Sequence, residues 1–317
     1  MQTDSSLRHR RTPRAPWAAL LVAGLLAGLP LPAQEPGPPP APADARVAGH
    51  WQGIFVIKPA VSELEMLFDF NPGDAGWKGT LSLPVRGVAG FPLKDVKVSG
   101  RDVSFAYSYS AGTSTFTGTL ETDGDAISGT LVERGQPVKF KLTRQADRPA
   151  LPPAKLGLVV STADLKHQFN ALSGKTRLVL LLSPTCGICK AAARIVERYV
   201  LDAIDSKDLA VIVLWEPALK EDSEAKAVAA AGLVPDPRAV HLWTPDPTLA
   251  DTFGKAVGVK SSPAFDLYLL YPAHTNWEEG APAPVRVMHA GDELPADRLF
   301  NGVKLAAEVR EVLAHQP

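Results

Sequence analysis

Leu178-Val179-Leu180-Leu181-Leu182-Ser183-Pro184-Thr185-Cys186-Gly187-Ile188-Cys189 is the stretch on which the second half of this 317-residue chain turns. Five consecutive aliphatic residues closed by Ser-Pro predict a strand buried on both faces. The residues after it, 188–204, read as a helix, so the cysteines fall at a strand-to-helix junction. They are the only cysteines in the chain. A bridge between them would close a very short loop and stabilise little, which makes disulfide chemistry a better-motivated role than stapling.

Working outward, helical and strand patterns alternate, as in an α/β fold. Helices are expected at 162–172, 188–204, 219–231, 248–257 and 296–313, with strands at 177–183, 209–215, 240–243, 265–271 and 285–289. In the last helix Leu299, Val303, Ala306, Val309 and Leu313 recur at three- or four-residue steps and define one apolar face.

The order strand, turn, Cys-Gly-Ile-Cys at a helix start resembles the thioredoxin-fold superfamily. Ser262-Pro263 ahead of an apolar strand is the second matching point, about 75 residues on. The added strand and helix between 240 and 257 resemble its exported reductase and redoxin-like branch. The resemblance spans 155–315 and implies a cis-proline at Pro263 facing the cysteines, with Thr185 and Ser262 beside the substrate. Two residues between the cysteines let both sulfurs meet across the first helical turn. Unpaired N–H groups and the helix dipole there favour thiolate at Cys186, the expected nucleophile. Cys189, one turn further in, would resolve the mixed disulfide.

The sequence departs from that pattern in two places. The buried acid of thioredoxins, six residues before the first cysteine, is replaced by Leu180, and the preceding tryptophan by Thr185. A proton relay therefore needs another carboxylate or water, and Glu216 and Asp266 are the candidates, each more readily read as a solvated or hydrogen-bonded structural acid. With no histidine between the cysteines, the expected direction is reductase or isomerase rather than strong oxidase. Covalent haem is excluded by Lys190 after Cys189. Zinc would need more ligands, and His167, His241, His274 and His289 are scattered, so neither a metal nor a cofactor is expected. An alternative is a non-enzymatic binding protein, or a Cu(I) carrier using the two thiolates on a degenerate thioredoxin-like domain.

Upstream, residues 46–145 alternate in short runs (51–58, 63–70, 77–83, 103–109, 115–120, 127–132) separated by Gly-containing turns. This predicts an antiparallel barrel or sandwich. Gly49-His50-Trp51-Gln52-Gly53 and the Gly-rich strands resemble lipocalin-like β-domains; a barrel of this size is expected to be filled by its own side chains and to serve as an interaction module. Gly-Thr-Leu recurs at Gly79, Gly118 and Gly129. Trp51, Trp77, Trp215 and Trp243 are expected in cores, and Trp277 at the rim of a groove.

Residues 1–33 carry Arg8, Arg10, Arg11 and Arg14 before an apolar stretch shorter than a membrane span, the layout of a secretory signal. The residues flanking Arg10-Arg11 do not support a twin-arginine signal. Residues 34–45 hold five prolines and predict a tether; 146–154 predict a second linker before the α/β domain at 155–317. Removing 1–33 takes four arginines and Asp4 from 33 basic and 34 acidic residues, leaving a net charge of −4. That charge excludes a nucleic-acid footprint. The expectation is a periplasmic or other extracytoplasmic protein, with no stable membrane span after signal removal, whose partners are thiol- or disulfide-bearing proteins.

Overall fold

Alternating burial in the first half builds a nine-stranded antiparallel sheet: β1 (Gly49–Lys58), β2 (Ser62–Gly73), β3 (Gly76–Leu83), β4 (Val88–Pro92), β5 (Lys94–Ser99), β6 (Asp102–Tyr109), β7 (Gly112–Leu120), β8 (Ala126–Glu133) and β9 (Gln136–Gln145). The computed structural model describes residues 44–109, 112–146 and 155–315. The expected export signal, most of the expected tether, and 147–154 of the expected second linker lie outside the described residues.

The strand order β4-β3-β2-β1-β9-β8-β7-β6-β5 closes β1 against β9 and leaves β4 and β5 at the two ends. Those ends are consecutive in the chain, and Leu93 between them donates its N–H to Gly79 O in β3 at 2.9 Å, so the sheet is nearly closed. β4, β5 and β9 lie outside the six runs picked out by apolar alternation. Their exposed charged and small residues, as in Lys94–Ser99, weaken that signal.

Inside the barrel the inward residues of these strands meet as one aromatic core. Phe68, Phe70, Phe105, Phe116 and Phe140 have centroids 4.9 to 6.4 Å apart, and Trp51 is 1 % exposed. The interior is thus filled by its own side chains. Two of the recurring Gly-Thr-Leu triplets explain how the strands pass so closely. Gly118 and Gly129 pair across β7 and β8, and a Cβ on Gly129 would stand 2.1 Å from Thr117 O.

The second half is a six-stranded mixed sheet of order β10-β13-β12-β11-β14-β15. Its strands are β10 (Leu156–Leu158), β11 (Thr176–Leu182), β12 (Leu209–Trp215), β13 (Ala239–Trp243), β14 (Leu267–Tyr271) and β15 (Arg286–His289). All seven residues of β11 and of β12 are buried, because helices cover both faces. The helices are α1 (Thr162–Asn170), α2 (Gly187–Val196), α3 (Glu224–Ala231), α4 (Asp251–Ala256) and α5 (Gly302–Ala314). α2 runs on into a π-helical turn, Glu197–Leu201.

Four expectations are corrected. α3 starts five residues late because Ser223 caps it, accepting from Lys226 N. α4 starts three residues late, at Asp251, so the expected helix 248–257 is shorter. The last helix begins at Gly302, not 296: Phe300 N donates to His289 O, and Asn301 supplies the cap. Its buried face is therefore Leu305, Ala306 and Val309, while Leu299 and Val303 are exposed. Trp277 rims no groove; it is 1 % exposed, packed edge-on to Phe169 and Phe253.

The two sheets belong to one compact unit, residues 40–317. β2 meets α2 and its π-helical extension. Arg194 Nε and Nη2 donate to Glu65 at 2.9 and 2.8 Å, Arg198 pairs with Glu63, and Tyr199 Oη donates to Glu63 at 3.0 Å. The barrel is thus fastened to the same helix that begins at the cysteine pair. Among the described residues no helix is long and apolar enough to cross a membrane.

Candidate active site at the start of α2

β11 delivers the chain to the site as a fully buried strand, and Ser183-Pro184 ends it. Ser183 Oγ accepts from Cys186 N at 3.2 Å, and Cys186 takes extended dihedrals (φ −64°, ψ 123°) as the N-cap of α2. Its Sγ accepts from Cys189 N at 3.5 Å, in the place a capping oxygen would occupy. Cys186 is half-buried and Cys189 fully buried, both as free thiols. Ile188 between them is an exposed apolar side chain.

The Ser262–Pro263 peptide is cis. Asp251, the first residue of α4, holds both flanks of that proline: Ser262 Oγ donates to it at 2.6 Å and Ala264 N at 2.9 Å. Asp222 does the same for the cysteine loop, accepting from Thr185 N at 3.0 Å and from the Thr185 hydroxyl. Thr185 and Ser262 each have their hydroxyl committed to a carboxylate. Neither aspartate was visible as a site residue in the sequence.

Asp266 reaches the sulfurs. Its carboxylate and the Sγ atoms of Cys186 and Cys189 all lie within 4.8 Å of one another. It does so with φ 62°, a left-handed conformation uncommon for a non-glycine residue, while its N–H donates to Leu181 O at 2.7 Å. This turn is why the expected strand 265–271 starts only at Leu267. Tyr268 Oη, fully buried, donates to Asp266 Oδ1 at 2.9 Å. Glu216 is not part of this cluster. It is 0 % exposed, neither carboxylate oxygen has a hydrogen-bond partner among the described residues, and its charged neighbours are Asp251, Asp222 and Asp246.

This arrangement separates the two thiols electrostatically. The Cys189 thiol, donating to Cys186 Sγ, brings the Cys186 pKa down to about 6, with Cys189 N–H adding to the effect and burial opposing it. The neighbouring thiol therefore outweighs the backbone donors that the sequence pointed to. Burial first, then Cys186 and Asp266, pushes Cys189 well above the ordinary thiol range. Asp266 is itself raised by burial, against the hydrogen bond from Tyr268 and then the nearby Cys189 side chain. Burial also raises Glu216, and the three aspartates add to it.

One cleft lies away from the cysteine pair. It runs between the two sheets and is lined by His50, Glu65, Arg194, Pro235 and His241, whereas of the two cysteines only Cys186 reaches the surface. A half-exposed sulfur beside the exposed Ile188 suits a macromolecular partner more than an enclosed small molecule.

No protein-family model matches the chain, and no curated protein matches it. Among solved structures, a Bacteroides thetaiotaomicron protein provisionally described as a protein disulfide isomerase is similar over 46 % of this chain and 76 % of its own, at 17 % identity and a TM-score of 0.30.

Proposed function

We propose that the chain is an exported thiol:disulfide oxidoreductase with a thioredoxin-like second half, acting on protein partners as a reductase or isomerase. The observation that carries this reading is the asymmetry of the pair: a half-exposed, thiolate-favouring Cys186 at a helix N-cap against a buried, proton-holding Cys189 next to a carboxylate. The cis peptide at Ser262–Pro263 supports the fold assignment.

Cys186 thiolate attacks one sulfur of a partner disulfide, forming a mixed disulfide and releasing the partner's other sulfur as a thiolate. Asp266 takes the proton of Cys189, whose sulfur then attacks Cys186 Sγ. The mixed disulfide breaks, the partner leaves as a dithiol, and the protein holds a Cys186–Cys189 bond. Two electrons pass from the protein's dithiol to the partner, and the Asp266 proton ends on the leaving sulfur or in solvent. A carboxyl raised by burial is a better base for this step than an ordinary one. The relay that Leu180 cannot supply comes from the loop after Pro263. Asp222 and Asp251 act as positioning residues that fix the loops carrying Thr185 and Ser262 at the partner contact.

Equilibration in glutathione buffers tests the reading. A single two-electron transition confined to Cys186 and Cys189, between about −120 and −300 mV, is expected. Thiols that stay reduced, or oxidised, across that whole range would defeat it.

A further inference from the structure

Sequence spacing gave no metal ligand set, because it looked for histidines. His289 lies opposite Leu267 in the β14–β15 register, the partner of a residue in the core on the other face of the sheet from Cys189, so it does not complete such a set. The structure instead gathers two thiols and a carboxylate that are separated by 77 residues in the chain.

We propose that the reduced protein binds one zinc ion through Cys186 Sγ, Cys189 Sγ and the Asp266 carboxylate, with the fourth tetrahedral position open toward solvent. It uses the sulfurs of the exchange reaction but does not depend on that reaction occurring.

The donor atoms, all within 4.8 Å of one another, need only small side-chain rotations to reach the separations of about 3.3–3.8 Å that tetrahedral Zn–S and Zn–O bonds of about 2.3 and 2.0 Å impose. Asp266 already has an outer-shell partner. Tyr268 Oη occupies Oδ1 and leaves Oδ2 for the ion, the arrangement that orients metal-bound carboxylates. The half-exposed side of Cys186 gives both an entry path and the open position. The left-handed backbone at Asp266 is a second sign of construction: a disfavoured conformation is kept at the one residue that turns a carboxylate onto the sulfurs. Two thiolates with a carboxylate fit borderline zinc. Cu(I), content with two thiolates, would leave Asp266 unused.

Binding forms two Zn–S bonds and one Zn–O bond, the thiol protons pass to buffer, and no electron moves. Zinc-bound sulfurs cannot attack a disulfide, so free zinc would set the fraction of the protein available as reductant.

The test is titration of the full chain, reduced and freed of reductant, with Zn2+ against a chromogenic chelator, and with Co2+ for its spectrum. The expected result is 1:1 binding by the reduced form, none by the disulfide form, and thiolate-to-cobalt charge transfer with the visible bands of tetrahedral Co(II). Zinc should protect Cys186 from alkylation until EDTA is added. Asp266→Asn, checked for folding by circular dichroism, should weaken zinc at least about tenfold and leave Cu(I) binding unchanged. Equal binding by the oxidised form, a spectrum without thiolate charge transfer, or unchanged zinc affinity in Asp266→Asn would each overturn the site. Exchange activity is assayed separately with EDTA present, so loss of the zinc site and loss of the oxidoreductase reading are distinct results.

Discussion

Buried carboxylates are handled in opposite ways by the two halves of the molecule. In the barrel, Glu65 is 3 % exposed and bound by two nitrogens of Arg194, and Glu63 is met by Arg198, Tyr199 and Ala60 N. In the α/β half, Asp266 is met only by hydroxyl and thiol groups and Glu216 by nothing described. Paired charges fasten one sheet to the other. Asp266 and Glu216 sit where protons can be held or moved, Asp266 at the sulfurs and Glu216 beside Asp222 and Asp251, which hold the neighbouring loops.

The sharpest way to break this comparison is Glu65→Ala. Arg194 would remain buried without its partner, and unfolding free energy should fall by about 3–5 kcal/mol in urea titration. Glu65→Leu with Arg194→Met should recover most of that loss, because it removes the orphaned charge along with the pair.

Asp266→Asn should act on chemistry instead. Resolution of a preformed mixed disulfide should slow by roughly 100-fold or more while the first attack by Cys186 persists, as stopped-flow single turnovers would show. An equal slowing of both steps would make Asp266 structural.

Cys189→Ala sharpens the same site. Losing the Cys189 thiol removes the largest influence on Cys186, so the midpoint of the pH profile for Cys186 alkylation should rise from about 6 toward the ordinary thiol range. In the wild type the reactive thiolate is lost as pH falls below about 6. An unshifted profile would return the leading role to the helix N-terminus.

The smallest effect is expected at Glu216. Its folded pKa lies above the ordinary 4.5, so the folded state keeps its proton longer than the unfolded chain, and stability declines as pH rises above 4.5 toward the folded value. Glu216→Gln should remove that decline and be the more stable form at neutral pH. Thermal unfolding between pH 4 and 8 would show it.

What could be read in the sequence were features carried by neighbouring residues. The aliphatic run of β11, the Ser-Pro turn and the Cys-x-x-Cys spacing lie within twelve residues, and each does locally what its chemistry suggests. The barrel's alternation was equally plain where strands bury large side chains. What could not be read depends on distant partners: Arg194 meets Glu65 across 129 residues, and Asp251 clamps Ser262 only because α4 starts beside the proline loop. Asp266 stood out as an acid in an apolar strand. Its left-handed turn, which decides where the carboxylate points, has no signature in an aspartate. Trp277 looked exposed because its sequence neighbours are polar, yet Asn170 takes up its backbone N–H and carbonyl and seats the ring in the core.

Trapping of mixed disulfides bears most directly on the central claim that Cys186 attacks and Cys189 resolves. With a disulfide-bearing protein substrate, Cys189→Ala should accumulate a covalent adduct through Cys186 that dithiothreitol releases, and Cys186→Ala should accumulate none. Adducts formed equally by both variants, or by neither, would contradict it.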